Sequence, residues 1–211
     1  MILIGQFDSP FTRRVGIALE LYGLPYEHRP WSTFGDPEKI AAYNPLLRVP
    51  TLVLDDGEVL IETLAILDAV DEMAAPGQRL VAAAGAPRRK TLQIAAFACG
   101  VSDKVVMAYY SAKFHASADA SFVARIDGQI RATLDWLERD RAKAPGNWWL
   151  GAQMTHADIA VAATVRHFRE TIGADWDFSP WPALERHAAQ SEALDVFKKV
   201  FQPFKFGGDK T

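Results

Sequence analysis

Every strand signal in this chain falls before residue 62. Ile2-Leu3-Ile4 is a short apolar run, Tyr26 to Trp31 reads as a second extended segment, and Thr51-Leu52-Val53-Leu54 faces Val59-Leu60-Ile61 across the turn Asp55-Asp56-Gly57. The last pair is a hairpin, because Asp-Gly supplies the backbone conformations a tight turn requires. After Pro87 no strand signal competes with helix. Any fold must therefore confine its sheet to the first third and bury the remainder helix against helix.

Helix signals fill the gaps between those strands. Asp8-Ser9-Pro10 opens one: serine caps well, and proline costs nothing at the first helical position, where its missing N–H would be unpaired anyway. Val15, Ala18, Leu19 and Tyr22 follow at helical spacing, and Gly23 stands where such a helix ends. Asp36-Pro37-Glu38 begins a short helix that stops at Asn44-Pro45. Leu64, Ile66, Leu67 and Val70 form the apolar set of the next. The order across residues 1–74 is β-α-β-α-β-β-α. A strand-helix-strand opening implies a parallel pair, and the hairpin adds an antiparallel edge.

Ala75-Pro76-Gly77 breaks this pattern, and Ala82 to Pro87 is small and loose. The expected division is a first domain over 1–75 and an all-helical domain over 87–211, giving a class of α/β plus all-α. Arg88–His115 and Ser121–Ala144 read as long helices, with Ile126, Ile130, Leu134 and Leu137 on one face of the second. Thr155-His156-Ala157-Asp158 precedes another, and an aromatic tail carries Phe197, Phe201, Phe204 and Phe206.

Charge narrows the partners. The net of −3 argues against general nucleic-acid binding. Residues 1–75 carry a net −7 and residues 76–211 a net +4, an asymmetry that favours pairing between subunits. No apolar run reaches membrane-spanning length, and the start MILIGQFDSP lacks the basic and apolar regions of a secretory signal. Cys99 is the single cysteine, which fits a reducing, cytoplasmic compartment.

Three short elements carry the candidate chemistry. Ser9-Pro10-Phe11 puts a hydroxyl at a helix start, where free N–H groups and a partial positive charge favour an anion. Val49-Pro50 precedes a strand; with a cis bond there, the backbone of Val49 can pair with a peptide-like ligand. Glu62-Thr63 lies between strand and helix, with an acid for an ammonium group and a hydroxyl and N–H groups for a carboxylate. Each alone also reads as an ordinary cap or turn. Together they fit a small, anionic, peptide-like thiol.

The stretches SPFTRRVGIALELYGLPYE, NPLLRVPTLVLDDGEVLIETLAILDAVDE and NWWLGAQMTHADIAVAA together resemble the cytosolic glutathione transferases, over nearly the whole chain and in the expected order. The resemblance implies a thioredoxin-like domain followed by an all-helical one, with glutathione as cosubstrate. By position, Ser9 is similar to the residue that stabilises the glutathione thiolate in serine-type members. Pro50 matches the cis-proline, Val49 the residue pairing with the cysteinyl backbone, and Glu62 and Thr63 the clamp on the γ-glutamyl end. Lys39 is the candidate for the glycine carboxylate, with Arg48 competing; Arg13 serves the surface or a partner subunit. Thr63 stands where Ser is more usual and keeps the hydroxyl. Ala69 stands where many members carry an aromatic residue. The absence of cysteine near position 9 argues against the thiol-disulfide reductases of the family. Thr155 and Asp158 resemble the family's capping box, an element of folding rather than chemistry.

The second substrate is expected to be a small hydrophobic electrophile. Met107, Tyr109, Tyr110, Phe114, Phe204 and Phe206 are candidates for its wall, although such residues at helical spacing also read as core. Cys99 reads as a buried small hydrophobe and His156 as a surface residue at a helix start. The five histidines show no metal-ligand spacing. The leading expectation is a homodimeric glutathione transferase. The alternatives are a glutathione-dependent isomerase or dehalogenase on the same scaffold, a non-catalytic binding or regulatory relative, and a carrier of aromatic compounds.

Overall fold

A computed structural model describes residues 1–75, 77–114 and 119–206. The chain divides into two compact units: Met1–Leu80 together with the chain from Leu194 onward, and Val81–Ala193.

The first unit is built on a four-stranded sheet. Its elements are β1 (Ile2–Ile4), α1 (Pro10–Tyr22), β2 (Glu27–Arg29), α2 (Pro37–Ala41), β3 (Thr51–Val53), β4 (Val59–Ile61) and α3 (Thr63–Met73). The strand order is β2-β1-β3-β4. β1 and β2 run parallel, and β3 is antiparallel to both β1 and β4. Side chains alternate across a strand, so Ile4 and Val53 meet Ile40 of α2 on one face, while the fully buried Leu3 and Leu52 point to the other. α1 ends as its sequence requires: Gly23 takes the left-handed conformation (φ 65), and the N–H of Leu24 reaches back to the carbonyl of Leu19.

Two details depart from the sequence reading. The second strand is shorter, Glu27–Arg29 alone. Leu64 is 47 % exposed, whereas Ile66, Leu67 and Val70 are buried. Two residues span about 200° of a helix, so Leu64 cannot share a face with Ile66.

The larger departure is the tail. The expected division gave residues 87–211 to the helical domain, yet α8 (Asp195–Lys199) and the segment after it group with the first unit. Arg13 explains this. It is 1 % exposed, in neither of its expected places at a surface or a partner subunit. A buried guanidinium needs acceptors. Its Nε donates to the carbonyl of Val200 (2.8 Å) and its Nη2 to that of Phe197 (2.9 Å), at the end of α8 where unpaired carbonyls and the negative end of the dipole lie. Lys199 pairs with Glu20 at 2.6 Å, and the N–H of Phe7 donates to Gln202 Oε1 at 3.1 Å.

The second unit is helical: α4 (Gly85–Phe114), α5 (Ala120–Ala142), α6 (His156–Thr171), a short 3₁₀ turn (Gly173–Asp175) and α7 (Pro182–Glu192). Its core joins Ile94, Ala98, Val101 and Val105 of α4 to Ala160, Val161 and Phe168 of α6. Ile126, Ile130, Leu134 and Leu137 line α5 as the spacing predicts. Length and composition alone would let α4 cross a membrane, but Thr91, Ile94, Ala95, Ala98, Val101, Ser102 and Val105 of it are buried within this unit. His156 is 3 % exposed rather than at the surface, because α6 is buried from its first residue onward. Cys99 is only half-buried.

Candidate functional site

The sheet register gathers the three sequence elements. Ile4 pairs with Thr51, and Thr51 pairs with Ile61. The last residue of β1, the first of β3 and the last of β4 therefore form one row at one end of the sheet. Ser9 follows β1, Val49-Pro50 immediately precedes β3, and Glu62-Thr63 immediately follows β4. Three stretches far apart in sequence meet at that edge because strand direction alternates there.

Ser9 caps α1, its Oγ accepting from the N–H of Thr12 at 3.4 Å; as an acceptor in this bond the hydroxyl keeps its own proton to donate. No acidic residue sits in the first turn of α1 or of α3. The N–H groups at both helix starts are therefore free of a capping carboxylate from the first turn, and Glu62 at the N-cap of α3 makes no cap hydrogen bond with its side chain. The Val49-Pro50 bond is cis. Glu62 holds a non-glycine residue at φ 68. Such strained positions persist where the surrounding structure fixes them, and they cluster at functional sites. Thr63 is buried at the start of α3.

The two candidates for a carboxylate differ in setting. Lys39 is tied to Asp36 at 2.7 Å on α2, and the Lys39 partner together with the Ser32 N–H holds the Asp36 carboxyl below its usual range. Arg48 pairs with Glu62 at 3.0 Å, both side chains about half exposed. Arg48 thus stands beside the strand ends, bridging two of the three elements.

Several positioning residues escaped the sequence reading. Gly5, at φ +129, closes β1; a methyl group there would sit 2.5 Å from Thr12 Oγ1 and 2.8 Å from Cβ of Val49. Only glycine lets α1 and the Val49 loop approach this closely. Asn44, 1 % exposed, organises that loop: its Nδ2 donates to the carbonyl of Arg48 (3.0 Å) and to Thr51 Oγ1 (3.2 Å), and its Oδ1 accepts from the N–H of Leu46. In sequence it read only as a helix stop. His28 stacks on Phe7 with centroids 3.8 Å apart and its Nε2 bonds the carbonyl of Gly5 at 2.8 Å. Burial pushes its imidazole below the usual range, more strongly than the Gly5 carbonyl raises it, so Nε2 carries the proton of a neutral ring.

The tail runs beside this site. The N–H of Lys205 donates to Asp8 Oδ2 at 3.3 Å, and Phe206 packs on Phe34 at 4.9 Å. Phe204 is half-buried. The remaining wall candidates belong to the second unit. Met107 and Phe114 are exposed, and Tyr109, Tyr110 and Phe114 pair ring to ring at 5.7 and 6.0 Å. They lie beyond Val105, the last buried residue of α4, with Met107 and Phe114 at the surface and Tyr109 and Tyr110 half-buried. Among the described residues no cluster of three or more His, Cys, Asp or Glu side chains forms a metal site.

Comparison with known proteins agrees with this geometry. The model of the glutathione S-transferase N-terminal domain matches residues 8–73, and that of the C-terminal domain matches residues 120–190. A probable maleylacetoacetate isomerase of Vibrio cholerae is 29 % identical over 95 % of this chain and 94 % of its own. The holo structure of a maleyl pyruvate isomerase, described as a bacterial glutathione S-transferase of the Zeta class, aligns with TM-score 0.78 and 26 % identity over 95 % of this chain and 96 % of that one. A glutathione S-transferase from Methylobacterium radiotolerans, in complex with glutathione sulfonate, shares the fold at TM-score 0.86 and 24 % identity, covering 100 % of this chain and 98 % of that one. Sheet order, helical second unit and domain matches agree: the chain belongs to the glutathione S-transferase superfamily.

Proposed function

We propose that this chain binds glutathione at the end of the sheet and holds its sulfur as a thiolate for attack on an electrophilic carbon of a small hydrophobic molecule. The observation that supports this reading is that the strand ends Ile4, Thr51 and Ile61 form one row, with Ser9, Val49-Pro50 and Glu62-Thr63 in the segments that leave or enter it. A free thiol has a pKa of about 8.5, so little thiolate exists at neutral pH. The Ser9 hydroxyl and the open start of α1 stabilise the anion and lower that value. Ser9 is then neither nucleophile nor base, since the nucleophile arrives with the cosubstrate. The backbone of Val49 pairs with the cysteinyl backbone. Glu62 takes the α-ammonium of the γ-glutamyl end, and Thr63 with the N–H groups of α3 takes its carboxylate. Lys39 is the candidate for the glycine carboxylate, with Arg48 competing; each holds an exposed ion pair in the free protein, with Asp36 and with Glu62. The functional unit in this reading is a cytoplasmic homodimer.

A second reading is favoured by the full-length likeness to a probable maleylacetoacetate isomerase and to a maleyl pyruvate isomerase. In it, the thiolate adds to a conjugated cis double bond, the resulting single bond rotates, and elimination returns the thiolate and a trans product. The same residues serve both readings; the electrophile decides between them.

Titrating glutathione with the protein across pH, and following thiolate ultraviolet absorbance beside Ser9→Ala, tests the first step. Thiolate is expected at lower pH with the wild type and not with the variant. Absence of glutathione binding would remove the proposal altogether. Product analysis with a maleyl substrate and with a chlorinated aromatic then separates isomerisation from conjugation.

A further inference from the structure

A depression of about 300 Å³ opens on the second unit, far in sequence from Ser9, Val49-Pro50 and Glu62-Thr63. It lies between the end of α5, the turn through Gly146 and Asn147, and one face of α7. Two guanidinium groups line it, Arg141 and Arg186, and no carboxylate does.

The acids nearby are already committed. Asp140 holds Lys90 (2.5 Å) and the indole N–H of Trp149 (2.7 Å). Glu138 accepts from the N–H groups of Ala183 and Leu184 at 2.9 Å each. Asp158 accepts from Trp149 and Thr155. Arg186 is exposed and makes no ion pair among the described residues. None of these carboxylates lines the depression.

Arg141 is also held in advance. Its Nη2 donates to the carbonyls of Asn147 (2.7 Å) and Gly146 (3.3 Å), and its Nε donates to His187 Nδ1 (3.2 Å). With Nδ1 as acceptor, His187 carries its proton on Nε2, which faces the carbonyl of Asp158 at 3.2 Å. His187 is 1 % exposed, so the ring backing the arginine is fixed in the core. Three bonds lock one edge of the guanidinium and leave Nη1 without a protein partner among the described residues. An arginine ordered before binding loses little further freedom when it takes a ligand.

We propose that this depression binds the phosphate group of a small molecule, with Nη1 of Arg141 as a fixed donor and Arg186 as a mobile fork. A phosphate presents three terminal oxygens and about two charges, enough for both guanidinium groups, whereas one fork saturates a carboxylate. The free amide of Asn147 adds a donor at the rim. The hollow exceeds a bare phosphate in size and so admits an esterified one. This site is independent of glutathione binding.

The test is calorimetric titration of the whole protein, at constant ionic strength, with inorganic phosphate, a sugar monophosphate and acetate. Saturable binding of at least one phosphate is expected, weakened about tenfold or more in Arg186→Gln and in Arg141→Lys, which keeps the charge but loses the positioned donor. Arg186 is exposed, so its substitution does not endanger the fold; Arg141→Lys is compared only if its unfolding transition stays cooperative. Equal affinity for the two phosphates assigns the site to free phosphate, and tighter binding of the sugar phosphate to an ester. Absence of saturation by either phosphate, an unchanged affinity in Arg186→Gln, or acetate binding as tightly would overturn the proposal. Ser9→Ala should bind phosphate as the wild type does, which separates this outcome from the fate of the glutathione reading.

Discussion

The two units differ at their helix starts. In the second unit α5, α6 and α7 are closed, whereas α4 has no acidic residue in its first turn. Asp158 accepts from the N–H groups of Trp149 (2.7 Å) and Thr155 (2.8 Å) and from the Thr155 hydroxyl, completing a capping box at the start of α6. Glu138 caps α7 from another helix, and Asp119 caps α5. Carboxylates thus meet the positive ends of all three helices. In the first unit, α1 has one long serine bond and α3 has no side-chain cap. The same local physics yields stability where the anion comes from the protein, and a binding site where it must come from outside.

The comparison can be broken at its closed end. Asp158→Ala removes a buried carboxylate and leaves the N–H of Trp149 without its acceptor. A loss of about 4 kcal/mol is expected in urea unfolding, combining a lost cap with an orphaned buried donor. A loss below about 1 kcal/mol would show that the box contributes no more than an exposed cap.

The open end gives the complementary test. Ser9→Asp places a carboxylate where the helix dipole welcomes one, so stability should change by no more than about 1 kcal/mol. Function should suffer, because the protein's own anion then occupies the place reserved for the thiolate. Turnover with glutathione at neutral pH is expected to fall about a hundredfold. If activity survives, the open helix start is not what activates the thiol.

Two smaller effects sharpen the contrast. Glu62→Gln should weaken glutathione binding about tenfold, as a charged partner of the ammonium is lost. It should leave stability nearly untouched, since the exposed Arg48 pair is worth no more than about 1 kcal/mol. Binding isotherms beside unfolding curves check both halves. The second effect is on pH. Burial depresses the imidazole of His187, opposed by the Asp158 carboxylate and carbonyl and aided by Arg141. The unfolded chain then binds the proton more readily than the folded one. His187 contributes stability that is complete above about pH 6.5 and declines as pH falls below it, by at most about 1.4 kcal/mol per pH unit. Half-buried His28 acts in the same direction. Unfolding free energies between pH 7 and 5 that stay flat would contradict this account.

What could be read in advance follows from the range of the interactions. Strand alternation, the helical spacing of Ile126 to Leu137, the cap at Ser9 and the stop at Gly23 are set within a few residues, and sequence carries them directly. The pairing of Ile4, Thr51 and Ile61 in one row follows once strand order is known. The role of Gly5 depends on Thr12 and Val49 approaching together, and that of His28 on a carbonyl in another strand; neither leaves a periodic trace. The aromatic tail misled because its apolar pattern is as helical as that of the second unit. Its allegiance is decided by a guanidinium on α1. His156 misled because a cap sequence shows that a helix starts, not how deep that start is buried.

That guanidinium has a consequence for how the chain is made. Arg13 and the Val200 carbonyl it needs are 187 positions apart. On a ribosome adding roughly 5–20 residues per second, Arg13 waits about ten to forty seconds for its acceptors. The whole helical unit is synthesised in that interval. The unit that begins first is therefore completed last, and a nascent or truncated chain ending before α8 exposes the bare seat of its first helix to whatever cellular factor attends unfinished proteins.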